Sequence, residues 1–123
     1  MKILVVDDEK SVTDYVKMEL EDCSPELEVI CRNSGYEALS LIMQGKVDLL
    51  LTDIAMPDMD GYELYSRAKD YKDDLPIIMM TGFGYDPNHA VVKSRKEGLQ
   101  DVIFKPFDTQ RLFALIKKRT AGE

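Results

Sequence analysis

The sequence is poor in the residues that build disulfide frameworks, zinc sites and membrane spans. It contains two cysteines and one histidine in 123 residues. Cys23 and Cys31 are too few for a disulfide framework, and with a single histidine they argue against a zinc site. No apolar run approaches the roughly 20 residues that a membrane-spanning helix needs. We therefore expect a cytoplasmic protein with reduced thiols and no membrane contact.

Basic side chains are also in the minority. There are 16 lysines and arginines against 23 acidic residues, which gives a net charge of −7. Because broad binding to nucleic acid or to an anionic membrane needs clustered basic side chains, neither is predicted. A length of 123 residues with 45% hydrophobic content suits one globular domain with a sizeable core. We interpret residues 1–123 as a single domain, with no output domain in the chain.

Strand-like and helix-like segments alternate five times along the chain. Strands are predicted at about 2–6, 27–32, 47–52, 76–80 and 101–105, and helices at about 11–22, 34–44, 61–72, 87–97 and 108–119. Capping residues mark the helix starts at Ser11, Ser34, Asp60, Asp86 and Asp108. The second strand has mixed polarity, which suits an edge of the sheet. Alternating units of this length predict right-handed crossovers and a doubly wound parallel sheet of the α/β class.

Three of the predicted strands end in reactive side chains. Asp7 and Asp8 follow the first strand, Asp53 follows the third, and Lys105 ends the fifth. Because parallel strands place their carboxyl ends at one edge of the sheet, these groups should share one crevice, where open α/β sheets bind ligands. A cluster of three carboxylates and one amine calls for a cation and an anion to balance it.

The acidic pair at the end of the first strand has two interpretations. Asp7 and Asp8 taken alone fit a helix start and a solvated turn as well as they fit a metal site. Asp53 favours the metal site, because Pro57 and Gly61 shape a tight loop that leaves its carboxylate at the loop's mouth. Mg²⁺, or Mn²⁺ in its place, prefers oxygen ligands of this kind and binds through one or two carboxylates together with phosphate.

The order and spacing of these motifs resemble those of response-regulator receiver domains, over nearly the whole chain. The matching motifs are Val5-Val6-Asp7-Asp8-Glu9, Thr52-Asp53-Ile54-Ala55-Met56-Pro57 with Asp60-Gly61, Thr81-Gly82, and Lys105-Pro106-Phe107. The resemblance implies a flavodoxin-like fold with five helices and the strand order 2-1-3-4-5. It also implies a two-component phosphorelay, in which a sensor histidine kinase or a histidine phosphotransfer protein phosphorylates Asp53.

The resemblance assigns a role to each strand-end residue. The metal would be bound by Asp7, Asp8, Asp53 and the backbone carbonyl of Ala55, and the phosphoryl group by Thr81, Gly82 and Lys105. Lys105 would pair with Asp53 at rest, and its bond to Pro106 would be cis. Output would pass through the face formed by the fourth helix, fifth strand and fifth helix. The protein would act as a monomer or as a phosphorylation-linked homodimer, and would catalyse only its own phosphorylation and dephosphorylation.

The chain departs from the family pattern at the switch. Receiver domains usually carry tyrosine or phenylalanine three residues before the site lysine, but here that residue is Val102. The segment between Thr81 and Lys105 is also longer than is usual in this family. We therefore hypothesise that Phe83 or Tyr85, in the enlarged loop, replaces the missing aromatic switch; both could instead merely cover the core or lie exposed.

Other functions fit the sequence less well. A haloacid-dehalogenase-like phosphohydrolase places a second acid two positions after its nucleophile, which would make Glu9 the partner of Asp7, but no suitable threonine follows. A flavodoxin-like cofactor binder is opposed by the acidic strand ends, which would repel a flavin phosphate. A receiver that works as a binding module without phosphorylation stays open as an alternative, although all the expected site residues are present.

Overall fold

The computed structural model describes residues 1–82, 86, 88, 89 and 101–121. The helix predicted at 87–97 lies almost entirely outside these residues. Phe83 and Tyr85, the proposed substitutes for the aromatic switch, lie outside them as well.

Five strands form one parallel sheet. They are β1 (Lys2–Val6), β2 (Glu28–Arg32), β3 (Leu49–Asp53), β4 (Ile77–Thr81) and β5 (Val102–Phe104). Their order in the sheet is β2-β1-β3-β4-β5, and every neighbouring pair is parallel. The predicted α/β class and strand order are confirmed, and so is the position of β2 at an edge.

The described residues contain four helices. They are α1 (Lys10–Cys23), α2 (Gly35–Met43), α3 (Gly61–Tyr71) and α4 (Thr109–Thr120), the last of which is the C-terminal helix. Three of them have the predicted N-caps, because the side chains of Ser34, Asp60 and Asp108 accept hydrogen bonds from amides of the first turn. No helix in the described part of the chain has both the length and the apolar character needed to cross a membrane.

The predicted N-cap of the first helix, Ser11, is wrong. The helix begins at Lys10, and its N-cap is Glu9, whose side chain makes no capping hydrogen bond. The cause is local: the Asp7 carboxylate accepts a hydrogen bond of 2.9 Å from the Glu9 amide. The Glu9 carbonyl then accepts the first helical hydrogen bonds, so Ser11 already lies in the first turn.

The central strands are buried on both faces. Leu4, Leu50 and Met79 pack against α2 and α3 on one face. Ile3, Leu51 and Ile78 pack against α1 and α4 on the other. Burial of each such side chain contributes about 1.5–3 kcal/mol, so the sheet is a stable support for the residues at its carboxyl edge.

Gly61 fixes the start of α3 against the loop that leaves β3. Its amide donates a 2.8 Å hydrogen bond to the carbonyl of Ile54. A Cβ atom at this position would overlap the carbonyl oxygen of Asp53 and lie 2.8 Å from the Cα atom of Ile54. Only glycine permits this approach without displacing the backbone that carries Asp53.

We predict that Gly61→Ala lowers the free energy of unfolding by about 1–3 kcal/mol, because the new methyl group meets backbone atoms that cannot move aside. The gain in helix propensity, up to about 1 kcal/mol, does not offset this overlap. Urea denaturation measures the effect. Gly82→Ala is the control, since a Cβ atom there would meet nothing within 4 Å. Equal stability of the two variants would contradict the close approach at Gly61.

Candidate functional site

Three carboxylates converge at the carboxyl edge of the sheet. Oxygen atoms of Asp7, Asp8 and Asp53 all lie within 4.8 Å of one another. The sheet brings them together because Val6 of β1 is paired with Thr52 of β3, so the residues that follow emerge side by side. Asp7 is completely buried, Asp53 is only 7% exposed, and Asp8 is exposed. The structure thus unites the acidic residues that the sequence placed at two separate strand ends.

Backbone and side-chain donors hold the two buried carboxylates in place. One oxygen of Asp53 accepts a 2.8 Å hydrogen bond from the Ile54 amide. The carbonyl of Asp7 accepts a 2.8 Å hydrogen bond from the side-chain amide of Asn33. No sequence motif pointed to Asn33. The one local indication of its role is that a polar amide side chain directly follows β2, the strand beside β1. Asn33 thereby orients the peptide that links Asp7 to Asp8.

Lys105 contacts both buried carboxylates, but not equally. Its amine lies 2.7 Å from Asp7 Oδ2 and 3.7 Å from Asp53 Oδ2. The expected pairing with Asp53 is therefore the longer of two contacts. The shorter one goes to Asp7, which as the fully buried carboxylate gains most from a neighbouring cation. The bond between Lys105 and Pro106 is cis, as predicted.

The charges of the site shift two pKa values. Burial raises the pKa of Asp53, and the negative charge of Asp7 raises it further, against the opposing effect of Lys105. Burial alone would lower the pKa of Lys105, but its hydrogen bond to Asp7 and the charges of Asp7 and Asp53 outweigh burial and raise it. Three carboxylates and one ammonium group leave two negative charges, which a single divalent cation would balance.

The donor set suits a hard divalent cation. All the side-chain donors are carboxylate oxygens, which Mg²⁺ and Mn²⁺ prefer over nitrogen or sulfur. Exposure of Asp8 leaves room for the water ligands that Mg²⁺ retains. Ala55 follows Asp53 by two positions and is half-buried, and the role of its carbonyl stays a prediction.

Two of the predicted phosphoryl-binding residues, Thr81 and Gly82, lie at the end of the neighbouring strand β4. Thr81 is the last residue of β4 and is fully buried, and β4 pairs with β3 so that Met80 is opposite Asp53. Gly82 follows at the exposed end of the strand, with open space where a side chain would stand. The role of Thr81 and Gly82 in binding a phosphoryl group stays a prediction.

Val102, at the position of the usual aromatic switch, is the first residue of β5. It is half-buried and packs against the core cluster that faces α2 and α3. A valine side chain has one rotatable bond and no hydroxyl group, so it cannot make the swing and hydrogen bond of a tyrosine.

Comparison with known proteins identifies the family. The sequence profile of the response regulator receiver domain matches residues 3–117. The chain therefore belongs to the response regulator receiver domain family, the receiving modules of two-component signalling systems.

Solved structures agree with this assignment. A CheY-like receiver domain protein from Methanospirillum hungatei is 30% identical, with a TM-score of 0.86 over 98% of this chain and 94% of that one. A receiver domain protein from Clostridium thermocellum is 29% identical, with a TM-score of 0.85 over the same shares of the two chains. The chemotaxis protein CheY4 from Vibrio cholerae is 27% identical, with a TM-score of 0.80 over 95% of this chain and 96% of that one.

We predict that Asp53→Asn changes the pH dependence of stability. Because the folded pKa of Asp53 is raised, the folded protein retains a proton that the unfolded chain has already lost, and wild-type stability falls as pH rises through this window. The asparagine side chain does not titrate, so the stability of this variant does not fall in the same way. Its stability relative to wild type should therefore increase as the pH is raised from about 3.5 to 7.

Urea denaturation in EDTA across this pH range measures the difference. Asp58→Asn is the matched control, since Asp58 is exposed in the loop after β3 and lies outside the cluster. A pH-independent difference for Asp53→Asn, equal to that of the control, would contradict the raised pKa of Asp53.

Proposed function

We propose that this receiver domain accepts a phosphoryl group on Asp53 in a reaction that depends on Mg²⁺ or Mn²⁺, and that phosphorylation changes its binding to a partner. The observation that carries the proposal is the juxtaposition of three carboxylates with the Lys105 amine. The donor would be a sensor histidine kinase or a histidine phosphotransfer protein, in the cytoplasm. The chain would catalyse no reaction besides its own phosphorylation and dephosphorylation.

The metal would be held by Asp8, Asp53 and the carbonyl of Ala55, with Asp7 binding through a water ligand. When bound, it would neutralise the negative charge that otherwise keeps a phosphorylated donor away from a carboxylate. Asn33 and the Glu9 amide fix the geometry of the Asp7–Asp8 turn before any ligand arrives. Such fixed donors and acceptors are the main help that a protein gives to phosphoryl transfer.

Asp53 would act as the nucleophile. Its carboxylate oxygen forms the new bond to phosphorus, while the bond from phosphorus to the donor's histidine nitrogen breaks. The Ile54 amide holds Oδ1, so that Oδ2 is the oxygen that faces the Lys105 amine. The phosphoryl oxygens would then carry about 1.5–2 negative charges in place of the single charge of the carboxylate, and Lys105 and the hydroxyl group of Thr81 would stabilise them.

Two surface features support the proposal that the domain binds partners. A cleft of about 450 Å³ lies between the start of α1 and the segment Lys105–Phe107. On the β5 side, Phe104 is 59% exposed. An exposed aromatic ring on the face formed by β5, α4 and the helix predicted at 87–97 supports a role for that face in partner binding or in a phosphorylation-linked homodimer.

Intact-mass measurement tests the proposal. We predict that wild type incubated with Mg²⁺ and acetyl phosphate gains one phosphoryl group, and that EDTA prevents the gain. Asp53→Asn should show no adduct, because an amide is not a nucleophile for this transfer. Asp58→Asn, which removes an exposed carboxylate from the same loop, should be phosphorylated like wild type.

Two results would contradict the proposal. If neither acetyl phosphate nor a cognate kinase gives an adduct, the chain works as a binding module without phosphorylation. Steady release of phosphate from several small phosphate esters would instead identify a phosphohydrolase.

A further inference from the structure

The first turn of α3 is attached to the backbone of the proposed phosphoacceptor. The Asp53 carboxylate accepts from the Ile54 amide, and the Ile54 carbonyl accepts from the Gly61 amide, each at 2.8 Å. The absence of a side chain at Gly61 lets this turn touch the Asp53 backbone directly. The residue that follows Gly61 is therefore held at a fixed distance from Asp53.

That residue, Tyr62, also contacts the segment after β4. Its side chain is 5% exposed, and its hydroxyl oxygen accepts a 2.6 Å hydrogen bond from the Asp86 amide. Its ring stacks on His89, with ring centroids 3.9 Å apart and planes inclined by 10°. Asp86 is itself bound to Asn88 and His89, through hydrogen bonds of 2.9 and 3.0 Å. Tyr62 thus contacts Asp86 and His89 at once, and these two are hydrogen-bonded to each other.

The strand β4 ends at Thr81, and Gly82 follows it directly. Asp86 lies only four positions after Gly82. A displacement of Thr81 and Gly82 toward a phosphoryl group on Asp53 would pull on this short connection. Tyr62 would resist the pull, because the start of α3 is attached through Gly61 to the backbone of Asp53 and Ile54. The contact between Tyr62 and Asp86 therefore lies where the phosphorylated and resting arrangements must differ.

We propose that Tyr62 restrains Asp86 and His89 in the resting state and releases them when Asp53 is phosphorylated. In this chain Tyr62 would supply the aromatic contact that Val102 cannot provide. The inference rests on the proposed phosphorylation of Asp53. The hydrogen bond between Tyr62 and Asp86 and the stacking of Tyr62 on His89 would stabilise the resting state. A contact that favours the resting state must weaken the binding of any ligand that favours the other state.

Binding of beryllofluoride, a phosphoryl mimic, in the presence of Mg²⁺ tests the inference. Tyr62→Phe removes the hydroxyl group but retains the ring, so it should bind beryllofluoride more tightly than wild type, by about fivefold. His89→Ala removes the stack and should act in the same direction. In wild-type protein the NMR signal of the Asp86 amide should shift on beryllofluoride binding, because it loses the hydroxyl acceptor. In Tyr62→Phe this shift should be largely absent.

Tyr71→Phe is the matched control. Tyr71 lies on the same helix, and its hydroxyl group makes an equally short hydrogen bond of 2.6 Å, but to the Met43 carbonyl. This variant should match wild type in both measurements. Unchanged affinity in Tyr62→Phe, or an Asp86 shift equal to that of wild type, would overturn the inference. Failure of wild type to bind beryllofluoride would instead refute the proposed phosphorylation itself, so the two failures are distinguishable.

Discussion

The repulsion between two buried carboxylates is the constraint around which this domain is arranged. Asp7 and Asp53 lie side by side with almost no exposure to water, and burial together with the charge of Asp7 raises the pKa of Asp53. Lys105 offsets part of this repulsion by contacting both, at 2.7 and 3.7 Å. The remaining negative charge makes the site receptive to a divalent cation, and with that cation to a phosphoryl group. Charge imbalance is thus the property that the proposed function uses.

The rigid packing around the site keeps the two carboxylates close together despite their repulsion. Every residue of β3, and every residue of β1 except Lys2, is buried between two helical layers, and the pairing of these strands fixes the separation of the carboxylates. Gly61 then holds the loop after β3 against α3, and Asn33 holds the peptide after Asp7. Each of these contacts restricts a group that the proposed chemistry requires to be in place beforehand.

The sequence predicted most of the strands and helices, because apolar runs and capping residues are local signals. The strand-end position of Asp7, Asp8, Asp53 and Lys105 also followed from local patterns, whereas the order of the strands came from the family resemblance. The contacts that were missed join residues distant in the chain. Lys105 and Asp7 are 98 positions apart, Asn33 and Asp7 are 26, and Tyr62 and Asp86 are 24. Packing of the folded chain determines which of these residues meet, and no short sequence motif encodes that packing.

A crystal structure with Mg²⁺ and beryllofluoride tests the central claim most directly. We predict a cation between Asp8 and Asp53, beryllofluoride bonded to Asp53, and movement of the Lys105 amine from Asp7 to within hydrogen-bond distance of a fluorine atom. The hydroxyl group of Thr81 should contact a second fluorine atom. A structure in which Asp53 stays unmodified, the cation binds elsewhere and Lys105 keeps its 2.7 Å contact with Asp7 would contradict the account.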